Sequence, residues 1–195
     1  MKKDIILAGV GGQGILSIAA IIGTAAVSSG LYVKQAEVHG MSQRGGDVQS
    51  NLRLSSAPIA SDLIPFGKAD MIISVEPMES LRYLPLLAPE GWLITNTTPF
   101  VNIPNYPDVN DILAAVARVK HHIILDADKM ATDAGSSRSA NVVILGAASP
   151  FLDIPMEILE KAIRTIFGRK GEEVVNLNLN ALHAGRRLAD AQMNA

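Results

Sequence analysis

Residues Lys3 to Gly14 read KDIILAGVGGQG, and the order of residue types in this stretch decides the fold. Ile5, Ile6, Leu7 and Ala8 form an unbroken apolar run, as expected of a strand buried on both faces of a parallel sheet. The run stops at Gly9. Gly9, Gly11 and Gly14 fall on G-x-G-x-x-G with Gly12 as an extra glycine, and Ile15, Ile18, Ile22 and Ala26 then recur at helical spacing. Strand, glycine turn and helix therefore follow in that order. Such a turn lets backbone amides approach a phosphate, while the unpaired amides opening the helix favour an anion. Gln13 adds a side-chain donor. The same glycines would also serve a tight turn and close packing of the helix on the sheet, which Ala19, Ala20 and Gly23 suit as well.

Outward from this unit, Gly30 is placed to stop the helix, and Leu31 to Val38 alternates as a second strand that closes a βαβ unit. Glu37 lies at the distance from the glycines where dinucleotide-binding domains carry a ribose-binding acid. The loop HGMSQRGGDV follows, dense in polar groups: His39, Ser42, Gln43, Arg44 and the pair Gly45-Gly46. Val48, Ser50, Leu52 and Leu54 alternate against Gln49, Asn51 and Arg53, which predicts a strand with one wet face, lying towards a sheet edge or facing a partner.

Met71 to Val75 reads as a buried strand, Pro77 to Leu87 as a helix, Pro89-Glu90-Gly91 as a turn, and Trp92 to Asn96 as a further strand. Residues 97–107, with three prolines, read as a loop. Asp108 is placed to cap a helix, Ile123 to Leu125 is a short strand, and Asp126 caps a second helix. Helices follow at Asn141 to Ala148, Pro155 to Phe167 and Glu172 to Gln192, the last weakened by Gly185. The predicted fold is a single α/β domain over residues 1–195: an open, mostly parallel Rossmann-like sheet with helices on both faces and C-terminal helices laid over it.

Composition narrows the chemistry. A net charge of −2, with 18% charged residues and no Lys or Arg run, gives nucleic acid no electrostatic footprint. The longest apolar stretch, Ile15 to Val27, is broken by Ser17, Gly23 and Thr24 and is too short to span a membrane. It follows the glycine turn too closely to be a signal peptide, so the expected location is cytoplasmic. The absence of cysteine removes thiolate nucleophiles, disulfides and ordinary iron–sulfur ligands. The four histidines offer no metal-ligand spacing, since His121 and His122 would point to opposite faces of a strand.

In open α/β sheets ligands sit beyond the carboxyl ends of the strands, which makes the glycine turn and the loop after Val38 neighbours in space. Arg44 then serves as a fork for a phosphate or carboxylate, with Gln43 and Ser42 as further donors and Gly45-Gly46 permitting close backbone approach. The plainer alternative pairs Arg44 with Glu37 or Asp47. No carboxylate has a sequence relationship that would orient His39. Glu76 and Glu79 match an ordinary helix entry, and Ser136, Ser137 and Arg138 a solvated loop. No catalytic centre and no metal site emerge.

GVGGQG followed by EVHGMSQRGG, with LIPFGKADMIISVEP and YLPLLAPEG further on, resembles the gamma-type subunits of the 2-oxoacid:ferredoxin oxidoreductases, and MSQRGG favours their indolepyruvate branch. The similarity extends through Asn141 to the segment Asn178 to Gly185. The resemblance implies a complex in which a larger partner carries thiamine diphosphate and iron–sulfur clusters, decarboxylates an arylpyruvate, reduces ferredoxin and makes an acyl-CoA. It also implies a share in holding coenzyme A or the subunit interface for Gly9, Gly11, Gly12, Gln13 and Gly14 with Ser42, Gln43, Arg44, Gly45 and Gly46. In isolation the chain is expected to be inactive and to cover exposed apolar surface with a second copy. Two other classes stay open: a stand-alone NAD- or ATP-dependent enzyme, and a non-catalytic interaction module.

Overall fold

The computed structural model describes residues 1–39 and 45–194. Strands β1 (Lys2–Val10), β2 (Tyr32–His39), β3 (Asp47–Ser55), β4 (Ala69–Ser74), β5 (Leu87–Asn96) and β6 (His121–Leu125) form one sheet in the order β2-β3-β1-β4-β5-β6. β1, β4, β5 and β6 are parallel, whereas β3 runs antiparallel to both its neighbours. The first βαβ unit therefore does not close by pairing β2 with β1, because β3 is inserted between them.

β3 thus lies one strand in from the β2 edge of the sheet. Its polar face is covered from within the chain. Arg53 pairs with the buried Asp4 at 2.7 Å and donates to the carbonyls of Ser61 and Leu63, both at 3.0 Å. Asn51 Oδ1 accepts from the Ile64 amide at 3.1 Å. The residues that looked wet thus satisfy the polar groups of the segment following β3.

Alternation along the central strands divides the core. Ile5, Leu7, Met71, Ile73 and Ile94 face α1 (Ile15–Ser28), α5 (Ala140–Ala148), α6 (Met156–Phe167) and α7 (Glu172–Met193). Ile6, Ile72 and Leu93 face the opposite layer, which contains Leu81 of α2 (Pro77–Arg82), Leu86 and Val116 of α3 (Val109–Val116). Asp108 caps α3 through the Asn110 amide at 2.7 Å, and Asp126 caps α4 (Ala127–Asp133) through Lys129 at 2.9 Å.

Two further expectations change. Helix α2 ends at Arg82 and gives way to a tighter turn at Leu84–Leu86. Pro89-Glu90-Gly91 lies within β5: Ala69 faces Leu87 and Met71 faces Trp92, so an irregularity absorbs the extra residues of β5. A Cβ on Gly91 would sit 2.9 Å from the Ala69 carbonyl oxygen, which explains glycine at this close approach.

Gly185 also has a definite purpose. Where α5 crosses α7, a Cβ on Gly185 would strike the Val143 carbonyl, and one on Gly146 would strike that of Leu182. The two glycines let the helix backbones meet. The predicted weakness in α7 is a packing surface.

Candidate functional site at the carboxyl edge of the sheet

β1, β4, β5 and β6 all end at one edge of the sheet, and β3 begins there. The glycine turn is locked to β1 at this edge. Gln13 folds back, its Oε1 accepting from the Val10 backbone N–H at 2.8 Å while its own backbone N–H donates to the Val10 carbonyl at 3.1 Å. Gly9 is packed so tightly that a Cβ would collide with Val75 and come within 2.9 Å of Ile15 Cδ1. Gly12 has φ +102° and nothing within 4 Å of a Cβ position, so its requirement for glycine is conformational.

The neighbouring glycine pair comes to the turn as expected. Gly11 donates to the Gly46 carbonyl at 2.9 Å, and the Gly45 amide lies 3.4 Å from the Gly11 carbonyl oxygen. Gly14 caps α1 with φ +82°, and its carbonyl accepts from Ser17 N and from Asn141 Nδ2, each at 3.0 Å. Among the described residues, the amides of Gly12, Gly14, Ile15 and Leu16 have no hydrogen-bond partner. The first turn of α1 carries no acidic residue to oppose an anion. Ser42, Gln43 and Arg44, expected as donors, lie outside the residues that the structure describes.

Two clefts flank the turn. The first, of about 390 Å³, lies towards β2 and β3 and is lined by Gly11, Gly12, Gly14, Leu16, Glu37 and Val48 among others. The second, of about 370 Å³, lies towards β4 and β5 and is lined by Gly12, Gln13, Asn96, Asp128, Arg138 and Asn141 among others. The sequence pattern did not bring Asp128, Arg138 or Asn141 to the turn, because more than a hundred residues separate them from it. The only local signal was the polar cluster before the small-residue helix α5.

Residues 97–107 arch over the same edge. The buried Glu76 caps α2 through the Glu79 amide at 2.8 Å, accepts from the Phe100 amide at 3.1 Å, and accepts a short bond from the Tyr106 hydroxyl. Burial, and then this bond to a carboxylate, push the Tyr106 phenol well above its ordinary value. Asn102 Nδ2 extends the arch to the Gly45 carbonyl at 2.6 Å. Glu79 is also buried, and desolvation raises its carboxyl above the ordinary range against the opposing bond from Arg82 at 2.7 Å. Among the described residues, no group of three or more His, Asp or Glu side chains is placed to hold a metal ion. No helix among them is long and apolar enough to cross a membrane.

The family model described as pyruvate ferredoxin/flavodoxin oxidoreductase matches residues 4–188. The chain belongs to the pyruvate ferredoxin/flavodoxin oxidoreductase family. Its relatives in that family include the indolepyruvate oxidoreductase subunit IorB of Archaeoglobus fulgidus, 37% identical over 95% of this chain and 94% of the relative. The corresponding subunit of Pyrococcus horikoshii is 35% identical over the whole of both chains. The fold matches that of the gamma subunit of a keto/oxoacid ferredoxin oxidoreductase from Geobacter sulfurreducens, with a TM-score of 0.71 and 25% identity over 97% of this chain and 99% of that one. It also matches part of the 2-oxoglutarate:ferredoxin oxidoreductase of Magnetococcus marinus, solved with 2-oxoglutarate, coenzyme A and succinyl-CoA bound. There the TM-score is 0.77 at 25% identity, and this chain covers 31% of the larger one. This chain thus matches about a third of the longer chain there.

Proposed function

We propose that this chain is the subunit without thiamine in an indolepyruvate:ferredoxin oxidoreductase, a single cytoplasmic domain that supports oxidative decarboxylation of an arylpyruvate to its acyl-CoA. Full-length similarity to indolepyruvate oxidoreductase subunits carries this reading. A larger partner supplies thiamine diphosphate and iron–sulfur clusters and passes electrons to ferredoxin. The division of labour agrees with a chain that has no cysteine.

The role of this chain is to hold the phosphate-bearing end of coenzyme A and to present the surrounding edge to the partner. The amides of Gly12 and Gly14 fit such a ligand, since they lead into a helix with no side-chain cap and have no described partner. Ser42, Gln43 and Arg44 belong to the same proposed site, with Gly45 and Gly46 fixing where their loop rejoins the turn. Bound coenzyme A supplies the thiol that accepts the acyl group.

A stand-alone dinucleotide-dependent enzyme fits less well. Glu37 does line the first cleft, but it pairs across to Ser50, which pairs to Leu7. The inserted β3 therefore sets the acid about 9.6 Å from β1, two strand spacings rather than one. Co-expression with the thiamine-binding chain tests the proposal: the two chains should co-elute and bind coenzyme A. Gly11→Asp should abolish ligand or partner binding, because it adds bulk and negative charge at the turn. Separate elution of the unsubstituted chains, or normal behaviour of this variant, contradicts the proposal.

A further inference from the structure

We infer that the second cleft, which meets the first at Gly12, receives a nucleoside phosphate, with Arg138 engaging a phosphate and Asp128 a ribose hydroxyl. This inference rests on the ligand-bearing reading of the glycine turn and deepens it by assigning the side of the turn and the recognising groups. Topology supplies the first reason. From the adjacent parallel pair β1 and β4, the sheet continues through β3 and β2 on one side and through β5 and β6 on the other. The crevice between the carboxyl ends of β1 and β4 is therefore where the strand order reverses, the preferred ligand position in open α/β sheets. Gly12 and Gln13 after β1 and Val75 after β4 line the second cleft.

The charged groups supply the second reason. Arg138 is exposed and, among the described residues, forms no ion pair, although Asp128 lines the same cleft. Asp128 instead accepts from Asn96 Nδ2 at 2.8 Å. Asn96 is buried, and its Oδ1 accepts from the Thr97 and Ala127 amides, both at 3.0 Å. A buried amide thus orients the Asp128 carboxylate in a cleft that Arg138 also lines, with no ion pair between the two.

A simple anion would meet repulsion from Asp128, and a neutral sugar would leave Arg138 unused. A ribose carrying a phosphate satisfies both, since its hydroxyl donates to the carboxylate while the guanidinium forks onto phosphate oxygens. Phe100 on the arch supplies an apolar wall of the cleft for the base. The cleft's volume of about 370 Å³ lies within the range of ligand sites.

Calorimetric titration of the full chain with coenzyme A, ADP and 2′,3′-dideoxy-ADP tests this assignment. Arg138→Ala should weaken coenzyme A and ADP about tenfold or more, with partial recovery in Arg138→Lys. The unsubstituted chain should prefer ADP to its dideoxy analogue, and Asp128→Ala should erase that preference. Lys161→Ala, an exposed remote cation on α6, should change neither. If the unsubstituted chain binds no coenzyme A, the ligand-bearing reading fails and this inference fails with it. Binding of coenzyme A and ADP that Arg138→Ala leaves unchanged, or an ADP preference that survives Asp128→Ala, overturns the assignment of the second cleft alone.

Discussion

Asn141 Nδ2 donates to the Gly14 carbonyl at 3.0 Å, joining the start of α5 to the N-cap of α1 across 127 positions of sequence. A Cβ on Gly14 would lie 2.6 Å from that nitrogen, so the turn and the C-terminal helices are fitted to each other as well as bonded. Asn141→Ala should cost about 1 kcal/mol of stability through the lost hydrogen bond. Hydrogen exchange at the amides of 12–16 should accelerate by more than at β5. Equal acceleration throughout the chain would contradict a local tie.

The glycine crossing of α5 and α7 offers a test in which sign is informative. Helix propensity alone would make Gly185→Ala stabilising by up to about 1 kcal/mol. The obstacle is the Val143 carbonyl, which cannot turn aside as a side chain could. Steric overlap should win, at about 2 kcal/mol or more of destabilisation, and Tm should fall by about 4–8 °C. Gly146→Ala should do the same. A rise in Tm for either variant would refute the crossing.

These residues show what the sequence could convey. The apolar run Ile5 to Ala8, the caps Asp108 and Asp126, and the periodic helices are local patterns, and local geometry satisfies them. The place of β3 is a different kind of information. Arg53 and Asn51 look solvent-facing because alternation records polarity but not the partners, which are Asp4 and the backbone of Ser61, Leu63 and Ile64. Gly185 likewise looks like a helix defect until α5 lies against it. At the site, the contact of Gly11 with Gly46 followed from strand ends sharing one edge, whereas Asp128 and Arg138 meet the turn only through the packing of α4 and α5.

Removing one hydroxyl should loosen the arch. Tyr106→Phe leaves the buried Glu76 carboxylate short of a donor, a loss of about 1–3 kcal/mol. Limited proteolysis should cut 97–107 faster in this variant. Because burial and Glu76 both raise the phenol's pKa, the unsubstituted arch should resist cleavage equally from pH 6 to about 9. A marked increase in cleavage across that range would show that the latch is not this bond.

Glu79 predicts a pH dependence of definite sign. Its folded pKa is raised above the ordinary 4.5, chiefly by burial, so the folded state holds this proton more tightly than the unfolded chain. The group's contribution to stability is greatest below pH 4.5 and declines as pH rises from there through the raised folded pKa. Glu79→Gln should flatten that decline. Denaturant midpoints at pH 4.5 and 7 check it, and an unchanged slope in the variant would contradict the assignment.

Whether this chain supports a 2-oxoacid oxidoreductase without carrying its redox chemistry is decided by anaerobic, arylpyruvate-dependent reduction of a viologen dye with coenzyme A and thiamine diphosphate supplied. The lone chain should show no turnover, and turnover should appear once the large cluster-bearing subunit is added. Turnover by the lone chain, or persistent inactivity of the assembled pair, would contradict this role.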